Sequence, residues 1–304
     1  MSERPANTDG TAGVRWSAVI INYNAGALLT KCVASVFADA SAGLPNIVVV
    51  DNASSDSSLA DLRAQFPEVA VVETGANLGY ARAANLGIAS TTTSVVAVLN
   101  PDLVFHPGTA AAMLARVDSQ TSVGAVGPEI RNVDGSVYPS ARNFIGLGAA
   151  VGHATLGAIA PHNRWTRAYR GEARYGSGAR AVDWCSGAAL WLRRSALDAV
   201  GGWDERYFMY VEDVDLCWRL GRAGFEVWYE PAGVVTHVQG ATTRARPYRM
   251  IIEHHRSWWK FTKVRWQGAR RALLPITALF LVARAALACG SCALRRRLRG
   301  RSPQ

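Results

Sequence analysis

The sequence predicts an α/β fold in which a mainly parallel sheet is flanked by helices. Short apolar segments alternate with segments of helical periodicity through the first hundred residues, a pattern typical of parallel strands joined by helical crossovers. The 304 residues are 49% hydrophobic, which is sufficient for one large or two small cores. Asp and Asn residues follow several of the apolar segments, at the positions where ligands bind in such sheets.

The elements of this fold follow one another in a regular order. Strands are predicted at "WSAVIINYN", "NIVVVDNASSDSS", "VAVVET" and "SVVAVLN", and helices at "LLTKCVASVFA", "SLADLRAQF" and "ARAANLGIAST". The fourth strand is apolar throughout, as expected of a strand that is buried on both faces. It ends abruptly at Asn100 and Asp102, so we expect Asp102 to face a cleft at the carboxyl edge of the sheet. Other polar residues at predicted strand ends are Asn22, Asn24, Asp51 and Asn52.

The remainder of the chain is less uniform. The pattern is irregular from Gly124 to Gly178, and "AVDWCSGAALWLRRSALDAVGGWD" then returns to a strand and a helix. A further helix in "FMYVEDVDLCWRLGRAGF" stops at Gly224, and "EVWYEPAGVVTHVQG" predicts short strands. Residues 1–13 are polar, which predicts a disordered N-terminus without a signal peptide. Five irregularly spaced cysteines suit a reducing compartment, so we expect the body of the protein in the cytosol.

The positive charge is concentrated at the C-terminal end. The chain has a formal charge of +10, but from Arg244 onward it holds 15 Lys or Arg residues and one acid, Glu253. The preceding part holds 18 basic and 22 acidic residues, so it is mildly acidic. A basic chain suggests nucleic acid or an anionic membrane as its partner. An acidic body without a recognition motif argues against nucleic acid.

The basic segment, residues 244–304, also contains a long apolar stretch. "RALLPITALFLVARAALACGSCAL" exceeds the roughly 20 residues that cross a bilayer. Pro275, Arg284 and basic clusters on both sides of the stretch argue against a simple span. We therefore predict a helical, membrane-associating tail, peripheral or monotopic, on the cytoplasmic face of the cell membrane. The alternative is a helix that packs on the body of the protein.

Three groups of residues are candidates for chemistry. Asp102 suits a divalent cation, although a turn-forming Asp after Pro is common. Glu212 and Asp213 begin a helix. They either stabilise the helix dipole or provide a general base that deprotonates a hydroxyl. His237 follows an apolar run. It is either a structural histidine or a further metal ligand. The residues alone leave these alternatives open.

Six motifs in a fixed order resemble the inverting family 2 glycosyltransferases. They are "VIINYN", "VVVDNASSDSS", "NLGYARAANLGI", "VAVLNPDLVF", "GAALWLRRSAL" and "GGWDERYFMYVEDVDLCWRLGRAG", and they extend from about Val14 to Gly240. The resemblance implies a GT-A fold for residues 14–243, with a Rossmann-like, mixed and mainly parallel sheet. It also implies that the chain transfers a sugar from a nucleotide-diphospho-sugar in one direct displacement, which inverts the anomeric centre.

The resemblance assigns donor-binding roles to residues at the strand ends. Asp51 matches the acid that pairs with the pyrimidine base, and Asn22 and Asn24 border the nucleotide pocket. Asn77 and Arg82 match residues near the ribose and the diphosphate. Gly187 and Ala188 stand where the family lines the cleft between donor and acceptor.

The resemblance also implies a metal site and a catalytic base. "NPD" occupies the place of the family's D-x-D motif, so Asn100 replaces the first acid and lies beside the donor, and Asp102 is the carboxylate ligand. His237 matches a distal ligand of the same Mg²⁺ or Mn²⁺ ion. Asp213 matches the base that accepts the proton of the acceptor hydroxyl, with Glu212 next to it.

Within the family, the chain most resembles rhamnosyltransferases of Actinobacteria. This implies transfer of L-rhamnose from dTDP-rhamnose to N-acetylglucosaminyl-diphospho-decaprenol, in synthesis of the linker between peptidoglycan and arabinogalactan. One alternative is a related transferase that uses UDP-galactofuranose or UDP-N-acetylglucosamine. Another is an inactive, membrane-tethered binding module, because Asn100 replaces an acid.

Overall fold

The computed structural model describes residues 14–144, the single positions 156, 160, 163 and 165, and residues 178–238 and 247–299. The expected disordered segment 1–13 and the expected domain boundary at residue 244 lie outside these ranges. All five cysteines lie within them, and all are free thiols.

Twelve strands are present in the described part of the chain. They are β1 (Trp16–Asn22), β2 (Asn46–Asp51), β3 (Ala70–Glu73), β4 (Val95–Leu99), β5 (Leu103–Phe105), β6 (Val123–Arg131), β7 (Val137–Tyr138), β8 (Ala141–Arg142), β9 (Arg180–Val182), β10 (Trp184–Cys185), β11 (Ala189–Arg193) and β12 (Glu226–His237). The helices are α1 (Ala27–Ala38), α2 (Ser58–Gln65), α3 (Tyr80–Ala89), α4 (Thr109–Ser119), α5 (Arg194–Val200), α6 (Glu212–Arg222), α7 (Pro247–Arg265) and α8 (Leu274–Arg299). Short 3₁₀ turns occur at Ala40–Ala42 and Gly268–Leu273.

The main sheet is mixed and mostly parallel, as predicted. Its strand order is β3-β2-β1-β4-β11-β6-β12-β5, with β7 paired to β6 and β9 paired to β12. Strands β1 to β4 are parallel, whereas β11 runs antiparallel to both β4 and β6. Helices α1, α2 and α4 cover one face of the sheet, and α3, α5 and α6 cover the other. The helices on both faces explain why β1 and β4 are buried at every position.

The structure differs from the sequence prediction in the central strands. The irregular stretch after Gly124 contains most of β6, whose nine residues lie in the middle of the sheet. The glycines in this strand weaken its hydrophobic pattern, so the sequence does not indicate a strand here. A Cβ at Gly127 would lie 2.7 Å from Cys185 Cβ, so only glycine permits this close approach. The short strands expected in "EVWYEPAGVVTHVQG" are a single strand, β12, with a register shift between Glu230 and Val234 around Pro231.

The strand directions bring the polar strand ends to one edge of the sheet. Parallel strands β1, β2 and β4 end there, and β12 ends there because it runs parallel to β6. The antiparallel strands β5 and β11 begin at the same edge. This edge therefore collects the ends of β1, β2 and β12 and the residues next to β4, β5 and β11, namely Asn22, Asp51, His237, Asn100, Asp102 and Ala188.

The C-terminal segment forms two helices with different surroundings. Helix α7 packs on the body through the buried residues Ser257 and Phe261. Helix α8 contacts α7, but the apolar segment Gly268–Leu294 has no buried residue in its most apolar window. This segment has a mean hydropathy of 2.1 and is, by length and composition alone, capable of crossing a membrane.

Gly87 is the position where α3 approaches the sheet most closely. A Cβ there would lie 2.3 Å from Val19 Cγ1 and 2.7 Å from Val50 Cγ2, both on stiff buried side chains. We expect Gly87→Ala to destabilise the fold by about 1–3 kcal/mol through overpacking. Thermal unfolding should show a melting temperature lower by roughly 2–4 °C per kcal/mol.

Gly221 provides the matched control for this substitution. It lies in α6, and a Cβ there would meet nothing within 4 Å. Gly221→Ala should therefore raise the melting temperature slightly, because alanine is the better helix former by about 1 kcal/mol. Equal effects of the two substitutions would contradict the close approach of α3 to the sheet.

Candidate active site

The ends of β1 and β2 form a buried polar pocket. Asn22 Nδ2 donates to Asp51 Oδ1 at 2.7 Å and to Ser58 Oγ at 2.9 Å, and the Ser54 amide donates to Asp51 Oδ2 at 3.0 Å. Asn22 and Asp51 are both almost fully buried. Asn22 Oδ1 is buried without a hydrogen-bond partner. This oxygen therefore has unused acceptor capacity, whereas both Asp51 oxygens already accept a hydrogen bond.

The loops after β1 and β2 are tied together beside this pocket. Asn24 Oδ1 accepts from the Ser55 amide at 2.7 Å, and the Asn24 amide donates to Ser54 Oγ at 2.9 Å. Asn24 and Ala53 have φ values of 52° and 63°, which L residues adopt rarely. Backbone strain of this kind clusters at ligand sites, where the surrounding contacts enforce it.

The start of α3 joins this pocket to the segment that precedes α6. Asn77 Oδ1 accepts from the Gly79 amide at 3.1 Å and from Asn52 Nδ2 at 3.2 Å. The Tyr80 amide donates to Phe208 O at 2.8 Å. Arg82 Nε lies 3.7 Å from Glu205 Oε2, in an ion pair that is half exposed. The structure thus places Arg82 against the turn before α6.

Asp102 and His237 form the candidate metal site. His237 Nε2 lies 3.0 Å from Asp102 Oδ1, yet that oxygen accepts no hydrogen bond, and both side chains are largely buried. Two ligands in adjacent positions of an octahedral ion, each about 2.1 Å from it, are separated by about 3 Å. Asn100 Nδ2 lies 3.3 Å from the same His237 nitrogen. The geometry of this pair therefore fits two ligands of one cation.

The protein supplies only part of a coordination shell. Within the described ranges, no group of three or more His, Cys, Asp or Glu side chains converges on one point. Mg²⁺ characteristically takes one or two protein carboxylates and completes its shell with substrate phosphates and water. A pair such as Asp102 and His237 suits an ion that is shared with a phosphate ligand.

Glu212 and Asp213 begin α6, where Glu212 is buried and Asp213 is partly exposed. Asp213 Oδ2 accepts from the Gly187 amide at 2.9 Å, and Oδ1 accepts from the Val214 amide at 2.8 Å. Burial raises the pKa of Asp213, against these two hydrogen bonds and the charge of Arg142, which lower it. Burial, and next the charge of Asp213, raise the pKa of Glu212 well above that of an ordinary glutamate. Glu212 Oε2 is buried without a hydrogen-bond partner.

Gly187 and Ala188 connect the acidic pair to the metal pair. The Asn100 amide donates to Ala188 O at 2.8 Å, and the Tyr80 hydroxyl donates to Gly187 O at 2.6 Å. Burial raises the pKa of Tyr80 well above its ordinary value. The pKa is raised further by three nearby carboxylates, those of Glu212, Asp213 and Asp102. Asp102 and Asp213, which are 111 residues apart in sequence, therefore border the same site.

Sequence reasoning missed two residues of this site. Tyr80 stands inside the "NLGYARAAN" motif, but nothing in its spacing indicates a hydrogen bond to Gly187. Arg142 ends β8, where its Nε donates to Pro139 O at 3.0 Å and its guanidinium lies 5.5 Å from the Trp184 ring centroid. Its charge acts on Asp213, but it lies within the irregular stretch of sequence, where no signal distinguishes it from other arginines.

Helix α7 holds the segment that leads into the acidic pair. Ser257 Oγ donates to Met209 O at 2.9 Å, and Phe261 packs in a buried cluster with Val211. Tyr210 and Val211 have φ values of 68° and 70°. For a β-branched residue such as Val211 this conformation is a true outlier, which costs of order 1–3 kcal/mol. The contacts from α7 offset this cost and fix the direction in which α6 begins.

Comparison with solved structures identifies the fold. A mannosyltransferase from Pyrobaculum calidifontis, solved with GDP-Man and Mn²⁺, superposes with a TM-score of 0.57 at 17% identity, over 92% of this chain and 75% of that one. GalNAc-T7, solved with UDP, GalNAc and Mn²⁺, gives a TM-score of 0.56 at 16% identity, over 74% of this chain and 44% of that one. At these identities the likeness concerns the fold, and the GT-A architecture predicted from the motifs is confirmed.

Sequence comparison identifies the family. The chain is 40% identical over 267 residues to the N-acetylglucosaminyl-diphospho-decaprenol L-rhamnosyltransferase of Mycobacterium tuberculosis. The match covers 84% of this chain and 86% of its relative. Residues 17–201 match the family described as glycosyl transferase family 2. The resemblance stated from the motifs is thereby confirmed, and the chain is an enzyme that belongs to glycosyltransferase family 2.

Proposed function

We propose that this enzyme transfers L-rhamnose from dTDP-rhamnose to N-acetylglucosaminyl-diphospho-decaprenol. The observation that carries the proposal is the 40% identity, over most of both chains, to the mycobacterial enzyme of that name. The polar edge of the sheet supports it, because the buried pocket of Asn22 and Asp51, the Asp102–His237 pair and the acids Glu212 and Asp213 lie next to one another there.

Asp213 is the base in this proposal, and Glu212 is its neutral neighbour. Of these two carboxyl groups, the partly exposed Asp213 accepts two backbone hydrogen bonds that stabilise its charge, whereas Oε2 of the buried Glu212 accepts none. The proton therefore resides on Glu212. Asp213 takes the acceptor's proton as the hydroxyl attacks the anomeric carbon, and a single displacement inverts that centre. The transition state is oxocarbenium-like, as in other glycosyl chemistry.

Asp102 and His237 hold a divalent cation, Mg²⁺ or Mn²⁺, in the proposed enzyme. When bound, the ion neutralises the charge that develops on the departing nucleoside diphosphate. Arg142 adds a fixed positive charge on the side of Asp213. The backbone amide of Asn100 donates a hydrogen bond to Ala188 O, which positions the turn, and the neutral Asn100 side chain contributes no charge.

The donor nucleotide occupies the pocket at the ends of β1 and β2. Asp51, Asn22 and Asn24 line its base side, with the unpartnered Asn22 Oδ1 as one acceptor for the base. Asn77 lies beside the neighbouring turn at the start of α3. Arg82 reaches the diphosphate only if its ion pair with Glu205 opens, which the half-exposed position of both side chains permits.

The C-terminal helices suit an enzyme whose acceptor is attached to a membrane lipid. The unburied apolar segment Gly268–Leu294 associates with the cytoplasmic face of the membrane, where it keeps the site close to the lipid that carries the acceptor. Basic residues on both sides of it add electrostatic attraction to anionic lipids. Helix α7, which is anchored on the body, connects this segment to the catalytic domain.

The first test is a donor screen with a pair of isosteric variants. Purified enzyme, Mg²⁺ or Mn²⁺ and the lipid-linked acceptor should release dTDP from dTDP-rhamnose faster than UDP from UDP-galactofuranose or UDP-N-acetylglucosamine. Asp213→Asn should lower kcat by about 10²- to 10⁴-fold, because the general base is lost. Glu212→Gln should retain most of kcat, since it reproduces the neutral form. Preference for a UDP sugar would reject the proposed donor, and a fully active Asp213→Asn enzyme would reject the base.

The cation site is tested by direct metal binding. Asp102→Asn should weaken Mn²⁺ binding by roughly tenfold or more in the presence of dTDP, because loss of even an outer-shell partner costs 10- to 100-fold. Electron paramagnetic resonance of free Mn²⁺ measures the change. Asp118→Asn, in an exposed ion pair with Arg15, is the control and should bind Mn²⁺ as the wild type does. Unchanged affinity in both variants would place the ion elsewhere.

The protonation of Glu212 is tested by stability. Its raised pKa means that the folded protein retains a proton which the unfolded chain releases, so wild-type stability falls as the pH rises above the ordinary glutamate value. The Glu212→Gln variant does not lose stability in this way as the pH rises. Its melting temperature should equal that of the wild type near pH 4.5 and exceed it by a few degrees near pH 8. The exposed Glu68→Gln is the control, and a difference that shrinks with rising pH would disprove the neutral glutamate.

A further inference from the structure

A basic groove lies outside the site described above, between α7 and the turn before α6. Its volume is about 460 Å³, and it is lined by Arg206, Lys260, Lys263 and Val264. A groove of this size suits a small ligand or the head group of a larger one. Three of its four lining residues are cations and none is an acid.

The two lysines carry charge that no acid in the described part of the chain neutralises. The Arg206 guanidinium pairs with Asp204. Lys260 Nζ donates to Arg206 O, and Lys263 Nζ lies 5.6 Å from the Trp259 ring centroid. Among the described residues, neither ammonium group forms an ion pair. The compact charge of an ammonium group and its three donors suit a phosphate oxygen.

The position of the groove relates it to both the membrane and the catalytic base. Val264 lies four residues before the apolar segment that begins at Gly268. On the other side, Arg206 starts the segment that α7 holds through Ser257 and that ends at Asp213. Ser257 and Lys260 are one helical turn apart, about 5 Å along α7. The groove is therefore connected through α7 to the apolar segment on one side and to the segment that precedes the acidic pair on the other.

We propose that this groove binds the diphosphate of the polyprenyl-linked acceptor. The inference rests on the proposed function, which supplies an acceptor whose sugar must reach Asp213 while its lipid remains in the membrane. A diphosphate at Lys260 and Lys263 stands between these two ends. The groove thus selects an acceptor by the anion that joins its sugar to its lipid.

The lysine content of the chain permits a direct test without turnover. Lys31, Lys260 and Lys263 are the only lysines of the sequence, and Lys31 is an exposed residue of α1. The full chain is acylated with an amine-reactive reagent, without metal or donor, and each lysine is quantified by mass spectrometry. Phosphatidylcholine vesicles that contain decaprenyl diphosphate should slow acylation of Lys260 and Lys263 at least threefold and leave Lys31 unchanged.

Vesicles without the diphosphate distinguish the ligand from the bilayer. Phosphatidylglycerol vesicles of equal total charge should protect the two groove lysines less than decaprenyl diphosphate does. Equal protection by both kinds of vesicle would mean that the groove contacts bulk anionic lipid, and it would overturn the proposal. Absence of protection would overturn it as well.

A kinetic comparison separates this proposal from the proposed function. Lys263→Gln should raise KM for the lipid-linked acceptor about tenfold, with KM for the nucleotide sugar unchanged. Lys31→Gln removes the same charge elsewhere and should alter neither. Lys260 is left intact because its ammonium group also holds Arg206 O. If Lys263→Gln transfers rhamnose with an unchanged KM for the acceptor, the groove proposal is rejected and the proposed function is not. Protection by decaprenyl diphosphate without rhamnosyl transfer would reject the proposed function alone.

Discussion

The hydrogen bond from the Gly187 amide to Asp213 is the interaction on which the rest of the site depends. It joins the start of α6 to the residue pair that precedes β11, and a Cβ at Gly187 would lie only 3.1 Å from Asp213 Cβ. The same pair of residues accepts hydrogen bonds from Tyr80 and from the Asn100 amide. One short backbone segment therefore sets the positions of Asp213, Tyr80 and the turn that begins at Asn100. A side chain at position 187 would require Asp213 to shift by a few tenths of an ångström, which disturbs this arrangement.

The acids at the start of α6 impose a cost that α7 helps to offset. Among the described residues, Glu212 and Asp213 form no ion pair, and the two residues before them, Tyr210 and Val211, adopt left-handed backbone conformations. Ser257 and Phe261 of α7 contribute stabilising contacts to this segment. Helix α7 is in this respect part of the catalytic domain, although its basic composition groups it with the tail. The same helix continues towards the apolar segment, so under the proposed function membrane attachment and the orientation of Asp213 involve one element.

Much of this arrangement follows from the sequence, for physical reasons. Strands that are buried on both faces are apolar at most positions, so the sequence indicates β1, β2 and β4, and the residues that end these parallel strands lie at one edge. The antiparallel strands were harder to predict. Strand β6 contains Gly124, Gly127 and Pro128, which weaken any strand pattern, yet they allow the close approach of Cys185 and Phe225. Arg142 and Ser257 act through tertiary contacts alone, so no local pattern identifies them. The packing of α7 was likewise hidden by the charge of its exposed face.

The charge of the site explains why an asparagine is tolerated at the start of "NPD". Glu212, Asp213 and Asp102 already surround Tyr80, and a fourth acid at position 100 would add repulsion in a buried region. The nucleotide sugar brings a diphosphate into the same cleft, so positive charge is required there. With Asn100, the protein provides one carboxylate and one imidazole, a weak site for a free divalent ion but a sufficient one for an ion that arrives with phosphate oxygens. Under the proposed function, cation and donor thus bind as one unit, and the acidic pair remains available for the acceptor hydroxyl.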